Sequence, residues 1–192
     1  MARDDKAMGG SPTDTYLHDG EREAQQRFGV AGHWRPDMLA SMFKRSIPAR
    51  LATHIEALPF FFIATANARG ECDCSFRGRE HKASGEPYPL VKVLDDRTLI
   101  FPDYPGNNLF NSLGNLIENG HIGMLFIDFQ SRTRARINGT ATIIEEAGAF
   151  AHIWPLARGY ISVTAEQVYG NCKARIPSMT LALPADSDHQ EG

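Results

Sequence analysis

The sequence has 192 residues, of which 42% are hydrophobic and 22% charged, with a formal net charge of −3. This length predicts one globular domain with an extension, and the acidic balance argues against a general nucleic-acid or membrane-surface binder. Three cysteines (Cys72, Cys74 and Cys172) and a polar N-terminus favour a cytoplasmic protein in a reducing compartment. No apolar run approaches the roughly 20 residues that span a bilayer.

The first 58 residues are predicted to be a tail followed by helices. Residues 1–14 are polar and predict a disordered tail, and residues 15–58 predict a helical extension. Within the extension, 17–28 form a short charged helix and 37–57 a longer one, which Pro48 can break and Pro59 ends. These helices are expected to pack outside the following domain.

Residues 59–183 change in character and favour a mainly β domain. Apolar alternation and turn residues predict strands at 60–65, 71–76, 90–94, 98–101, 121–129, 133–144 and 160–169, and helices at 107–118 and 146–157. The segment Asn67–Gly70 is a turn signal that joins the first two strands in a hairpin. The pattern indicates a small antiparallel barrel with α additions, followed by a polar tail at 184–192.

The sequence lacks the common catalytic and nucleotide-binding motifs. It contains no G-x-G-x-x-G after a strand, no P-loop, no H-E-x-x-H and no G-x-S-x-G. Cys72 and Cys74 are two potential ligands without zinc-site spacing, so no metal site is predicted. No side chain is assigned a catalytic role.

One segment is more specific. The stretch FPDYPGNNLFNSLGN at 101–115 resembles the strand–turn–helix segment of the pyridoxamine 5′-phosphate oxidase-related FMN-binding proteins. The flanking order is also similar: a hairpin before it, then HIGMLFIDF, the arginine-rich RTRARINGTA and a late Tyr-Gly-Asn-Cys at 169–172. The resemblance covers roughly residues 58–180. It implies an antiparallel split β-barrel and a homodimer with FMN at the subunit interface.

The sequence departs from that family where the true oxidases bind phosphates. Asn111 and Ser112 stand where the oxidases carry an Arg-Lys pair, and the Ser-Arg-Pro and C-terminal Arg-Leu-x-Pro segments are absent. We therefore predict an FMN-dependent oxidoreductase that acts on an unknown small-molecule electron donor or acceptor, not a true pyridoxamine phosphate oxidase. The alternative is a non-catalytic protein that binds or senses flavin, deazaflavin or haem on the same fold.

The candidate cofactor residues follow from the needs of a phosphate and a flat ring. A helix beginning within 107–112 would offer backbone N–H groups, and Arg77 and Lys92, expected on neighbouring strands, would supply charge; each is otherwise a surface residue. Arg134 and Arg136 lie two apart on a strand and share a face, either beside the flavin or toward solvent. The full predicted set is Arg77, Lys92, Pro102, Asp103, Asn107, Asn108, Asn111, Ser112, Arg134, Arg136 and Asn171.

Overall fold

The computed structural model describes residues 16–170 and 173–180. The predicted tails at 1–14 and 184–192, and the candidate residues Asn171 and Cys172, lie outside the described residues. The chain divides into two compact units, Met1–Lys44 and Arg45–Gly192.

The first unit contains two short helices. Helix α1 spans Asp19–Arg27 and begins with a capping box, in which the backbone N–H of Glu21 donates to His18 Nδ1 and the Glu21 carboxylate accepts from the His18 backbone. Helix α2 spans Pro36–Met42, with its proline at a position that needs no N–H donor, and buries Leu39. The helix predicted at 17–28 is confirmed.

The second unit begins with helix α3 (Ala49–Ala57), whose N-cap is Pro48. The helix predicted at 37–57 is therefore two helices, and the break between them spans residues 43–48 and ends at Pro48. Seven strands follow, with helix α4 (Asn111–Glu118) after the fourth: β1 (Phe60–Ala66), β2 (Cys72–Gly78), β3 (Lys92–Val93), β4 (Thr98–Asp103), β5 (His121–Asp128), β6 (Thr133–Ile144) and β7 (Gly159–Gly170).

All seven strands pair in one antiparallel sheet of order β2-β1-β5-β6-β7-β4-β3. This arrangement is a split barrel, as predicted. Between β6 and β7 the register shifts at Gly139, where an added Cβ would lie 2.0 Å from the backbone oxygen of Thr164. Only a residue without a side chain allows the two strands to approach this closely.

Three element predictions were wrong in extent or type. Strand β3 has two residues because the Leu90 N–H bonds to the carbonyl of Glu56 in α3 and not to a neighbouring strand. Helix α4 begins at Asn111, because Asn108 (φ 60°) and Phe110 (φ 56°) adopt left-handed conformations. Residues 146–157 form successive turns and no helix.

The two faces of the sheet have different chemistry. Inward side chains such as Phe61, Met124 and Ile137 form the main core. On the outer face, the Phe60 ring lies 5.2–6.2 Å from the rings of Phe62, Phe76 and Phe129, and the Phe62 and Phe76 rings lie 5.9 Å apart. We call these four residues the phenylalanine cluster. Phe76 is 59% exposed, so the cluster presents apolar surface to solvent.

Within residues 16–170 and 173–180, no helix has the length and apolar character needed to cross a membrane. The same residues contain no group of three or more His, Cys, Asp or Glu side chains arranged to hold a metal ion.

Candidate functional site

A buried carboxylate at the end of β4 organises the candidate site. Asp103 is 2% exposed, and Arg77 Nη1 on β2 and Arg158 Nε donate to its two oxygens at 3.1 and 2.6 Å. Arg158 also donates to Asn108 Oδ1 at 3.0 Å and lies 4.2 Å above the ring of Phe110. We call these five residues the Asp103 cluster. It joins β2, β4, the turn before α4 and the start of β7.

The backbone explains why Arg158 reaches Asp103. Gly159, the first residue of β7, pairs with Asp103, and the Arg158 N–H donates to the Asp103 carbonyl at 2.9 Å. The main chain therefore holds Arg158 beside the carboxylate. A buried acid needs such partners, since removing a charge from water is costly unless it is paired and hydrogen-bonded.

The turn before α4 brings backbone donors toward this cluster. Asn107 Oδ1 accepts from the Leu109 N–H at 3.1 Å, and the left-handed Phe110 is the N-cap of α4. No described side chain caps this helix, so N–H groups of its first turn lack side-chain partners. Such a helix start attracts an anion.

The first turn of α4 is fixed to the sheet by its own side chains. Ser112 Oγ donates to Asp73 Oδ2 on β2 at 3.0 Å, and Asn115 donates to Thr65 Oγ1 on β1 at 3.1 Å. Ser112 is 5% exposed. Its hydroxyl hydrogen is thus already used by an acid, although its oxygen can still accept a hydrogen bond.

A cavity of about 350 Å³ adjoins the Asp103 cluster. Arg77, Pro102 and Tyr104 line it together with apolar side chains that include Phe61 and Phe101. The Tyr104 hydroxyl is buried and donates to no described residue, while the backbone of Glu80 interacts with its oxygen. Burial, with the nearby Glu80 carboxylate, raises the pKa of Tyr104 to about 12, so this hydroxyl stays protonated at neutral pH.

Most of the predicted cofactor residues come together here. Arg77, Asp103 and Asn108 belong to one hydrogen-bonded cluster, and Pro102 lines the adjoining cavity. Asn107, Asn111 and Ser112 form the turn and first helical residues beside it. Their contact with a flavin remains a prediction.

Lys92 lies elsewhere, and the expectation that it neighbours Arg77 on adjacent strands was wrong. Strands β2 and β3 are the first and last strands in the sheet order and are not hydrogen-bonded to each other. Lys92 Nζ donates to Glu56 Oε2 of α3 at 3.0 Å. The tie between Glu56 and the short strand β3 is strengthened by a second bond from the Val93 N–H at 2.8 Å.

Arg134 and Arg136 project from the outer face of β6, as their spacing predicted. Arg136 Nη1 donates to the Tyr169 hydroxyl at 3.3 Å, and its guanidinium lies 5.6 Å from the centre of the Tyr169 ring. Arg134 Nε is buried without a partner in the described chain. Leu125 and Ile127 stand directly opposite these arginines on β5, so both arginines border apolar surface.

Sequence reasoning missed three side chains of the site. Arg158 lies between two turns and β7 with no motif around it, and only strand pairing brings it to Asp103. Asp73 occupies an alternating position on β2 like any exposed strand residue, yet it anchors Ser112. Tyr104 was part of the recognised segment, and its burial beside the cavity could not be read from the sequence.

The arrangement fits the flavin that the resemblance implies. A flavin phosphate needs guanidinium and N–H donors, and Arg77 with the uncapped start of α4 offers both. Arg77 Nε is buried and lacks a partner among the described residues. Asp103 offsets part of the positive charge, which leaves the two arginines and one acid with a net charge of about +1.

Comparison with known proteins identifies a family to which the sequence is similar. The family model described as "Pyridoxamine 5'-phosphate oxidase" matches residues 47–179. No curated protein sequence matches.

Solved structures are similar in fold at low sequence identity. A Lactobacillus delbrueckii protein assigned to the pyridoxamine 5′-phosphate oxidases is 15% identical, with 67% of this chain and 98% of that chain covered and a TM-score of 0.50. HupZ of Group A Streptococcus is 17% identical (64% and 93% covered, TM-score 0.48), and an FMN-binding protein of Syntrophomonas wolfei is 12% identical (65% and 84%, TM-score 0.45). Because the family model covers more than half of the sequence, this chain belongs to the pyridoxamine 5′-phosphate oxidase family of flavin-binding split barrels.

Proposed function

We propose that this protein binds FMN beside the Asp103 cluster and acts as an FMN-dependent oxidoreductase on a small molecule. The observation that carries the proposal is a chain of hydrogen bonds from Asn108 in the turn before α4, through Arg158 and Asp103, to Arg77, which lines the 350 Å³ cavity. The phosphate of a flavin needs positive charge, its ribityl chain needs neutral hydrogen-bond donors, and its ring needs an apolar surface.

Each part of the cluster has a distinct role in this proposal. Arg77 and the N–H groups of Asn111 and Ser112 hold the phosphate, and Asp103 keeps the Arg77 guanidinium oriented. The buried Tyr104 hydroxyl gives a donor to the polar part of the cofactor. Bound FMN would supply hydride and electron transfer, so the chain needs no acid or base of its own for that step.

The native assembly in this proposal is a homodimer with the flavin at the interface. Phe62, Phe76 and Leu125 are cross-strand neighbours and form one apolar outer face across β1, β2 and β5. A second copy seated on this face would bury it, and soluble monomers seldom expose such a patch. Light scattering that gives a monomer at micromolar concentration with flavin bound would count against a shared site.

The substrate is proposed to differ from pyridoxamine 5′-phosphate. The two positions at which the oxidases carry an Arg-Lys pair hold Asn111 and Ser112, and the Ser112 hydroxyl hydrogen is engaged by Asp73. We expect turnover of pyridoxamine 5′-phosphate to stay well below the roughly 1 per second of ordinary enzymes. A rate at or above that value would refute this part of the proposal.

The test is to identify the ligand and then ask whether it turns over. The absorption spectrum of the purified protein and the mass of the ligand released on denaturation should both identify FMN. A deazaflavin spectrum or a haem Soret band would overturn the cofactor assignment. Reduction by NADH or NADPH and reoxidation in air would support the enzyme, whereas bound FMN that neither donor reduces would favour a flavin store or sensor.

A further inference from the structure

A second cavity shares Arg79 with the proposed flavin cavity and is otherwise lined by different residues. It has a volume of about 410 Å³, within the range of small-molecule sites. Its walls come from the end of α3, the start of β1, the end of β5 and residues 179–180. The apolar lining includes Leu58, Pro59, Phe60 and Phe129, so the body of a ligand here would be apolar.

Arg79 is the unusual polar group of this cavity. Its Nη1 donates to the carbonyl oxygen of Ala57 at 3.3 Å, and its Nε is buried without any partner in the described residues. Within the same part of the chain, no carboxylate lies at ion-pair distance from it. Burial lowers the pKa of the Arg79 guanidinium, which nevertheless remains charged at neutral pH.

Such an arginine is not fully satisfied by the protein itself. A partly buried charge is stabilised when an opposite charge pairs with it. The planar guanidinium matches a carboxylate in particular, because two parallel N–H···O bonds can form. The same geometry suits a phosphate, but a carboxylate carries the single negative charge that one guanidinium balances, so the missing partner has the chemistry of a carboxylate.

An acidic side chain in the same lining disfavours a second acidic group on the ligand. Asp128 lies there, with His54 Nε2 at 3.9 Å from its Oδ2. Burial opposes ionisation of Asp128, but hydrogen bonds from the Ser131 hydroxyl and from the N–H groups of Ser131 and Gln130 outweigh it and lower its pKa. The wall thus carries a stable negative charge that would repel a second carboxylate.

We propose that this cavity binds a small monocarboxylate with an aromatic or otherwise apolar body. The carboxylate pairs with Arg79, and the body packs against Phe60, Phe129 and Leu58. The inference does not depend on flavin, because none of its supporting contacts involves the Asp103 cluster. Arg79 also lines the proposed flavin cavity, so a carboxylate held here would stand beside the cofactor.

Titration calorimetry with phenylacetate on the full chain tests the proposal. We expect saturable binding to wild type, a loss of about tenfold or more in Arg79→Gln, and no change in Arg69→Gln. Arg69 is the matched control because it is exposed in the β1–β2 turn and pairs with Glu71. Binding to Arg79→Gln as tight as to wild type, or no saturable binding to wild type, would overturn the proposal.

Two ligand controls need no variant and so remain decisive if Arg79→Gln fails to fold. Phenylacetamide has the same body without the charge, and 4-carboxyphenylacetate has the same body with a second carboxylate; both should bind wild type about tenfold more weakly than phenylacetate or worse. If either compound binds as tightly as phenylacetate, the proposal that the cavity takes one carboxylate and an apolar body is refuted. Repeating the titration with and without flavin separates the two sites, since phenylacetate should bind even if the FMN proposal fails.

Discussion

Replacing Arg77 with glutamine removes a guanidinium that we assign to the flavin phosphate while keeping a polar side chain in place. Arg77 donates to Asp103 at 3.1 Å, and its side chain is 20% exposed. A hydrogen bond to a charged group contributes roughly 1.5–3 kcal/mol. Each 1.4 kcal/mol is about tenfold in affinity, so FMN binding should weaken by about one to two orders of magnitude.

The same substitution also disturbs the fold, and the magnitude can be bounded. Removing one partner of a buried ion pair costs about 3–5 kcal/mol when the remaining charge is left alone. Here Asp103 keeps Arg158 at 2.6 Å, so the free energy of unfolding of Arg77→Gln should fall by less than that. Denaturant unfolding of the flavin-free proteins measures this loss separately from ligand affinity.

The assay is a parallel titration of FMN and riboflavin into apo wild type, Arg77→Gln and the exposed control Arg69→Gln. Riboflavin lacks the phosphate, so its affinity should be nearly equal in all three proteins. If Arg77→Gln weakens both ligands equally, Arg77 supports the fold and not the phosphate. If it weakens neither, the phosphate charge comes from another group, such as Arg158 or Arg134.

Three other substitutions and one pH series test further parts of the structure. Asp103→Asn should lower the stability of the apo protein by about 3–5 kcal/mol, and FMN should raise its melting temperature less than that of wild type, because Arg77 loses the carboxylate that orients it; an equal shift argues against a phosphate beside the cluster. Tyr104→Phe should change apo stability by less than about 1 kcal/mol, because the hydroxyl donates to no described residue and its oxygen interacts with the Glu80 backbone alone among them; a larger loss in denaturant unfolding would reveal a further partner. Gly139→Ala should destabilise by about 1–3 kcal/mol or more, since its Cβ would meet a backbone oxygen at 2.0 Å, and wild-type stability would contradict that geometry. The pKa of Asp128 is lower in the folded protein than in the unfolded chain, so the ionised carboxyl stabilises the fold at any pH above its unfolded pKa of about 3.9, and this contribution is lost as the pH falls through the folded pKa. Ser131→Ala removes a hydrogen bond that lowers this pKa and should therefore make the loss of stability in acid smaller. NMR titration of the Asp128 carboxyl group measures the change in its pKa.

The sequence by itself determined the order and type of most elements. Alternation of apolar and polar residues is a local property of a strand, so β1, β5, β6 and β7 are each readable within about two residues of their ends. Pro48 stands just before α3, where its missing backbone donor costs nothing, and Pro59 follows the C-cap of the same helix; both limits can be read locally. The segment at 101–115 similarly carried the family resemblance, which the match over residues 47–179 confirms.

Only the tertiary structure decided which charges meet. Arg77 and Asp103 are 26 positions apart, and Arg158 is 55 from Asp103, so their contacts depend on strand order and register. Lys92 and Arg77 looked equivalent as cationic strand residues, yet one pairs with α3 and the other with the buried acid. The partnerless Arg79 and its cavity are likewise set by packing, because burial and pairing arise from contacts between distant segments that no local pattern records.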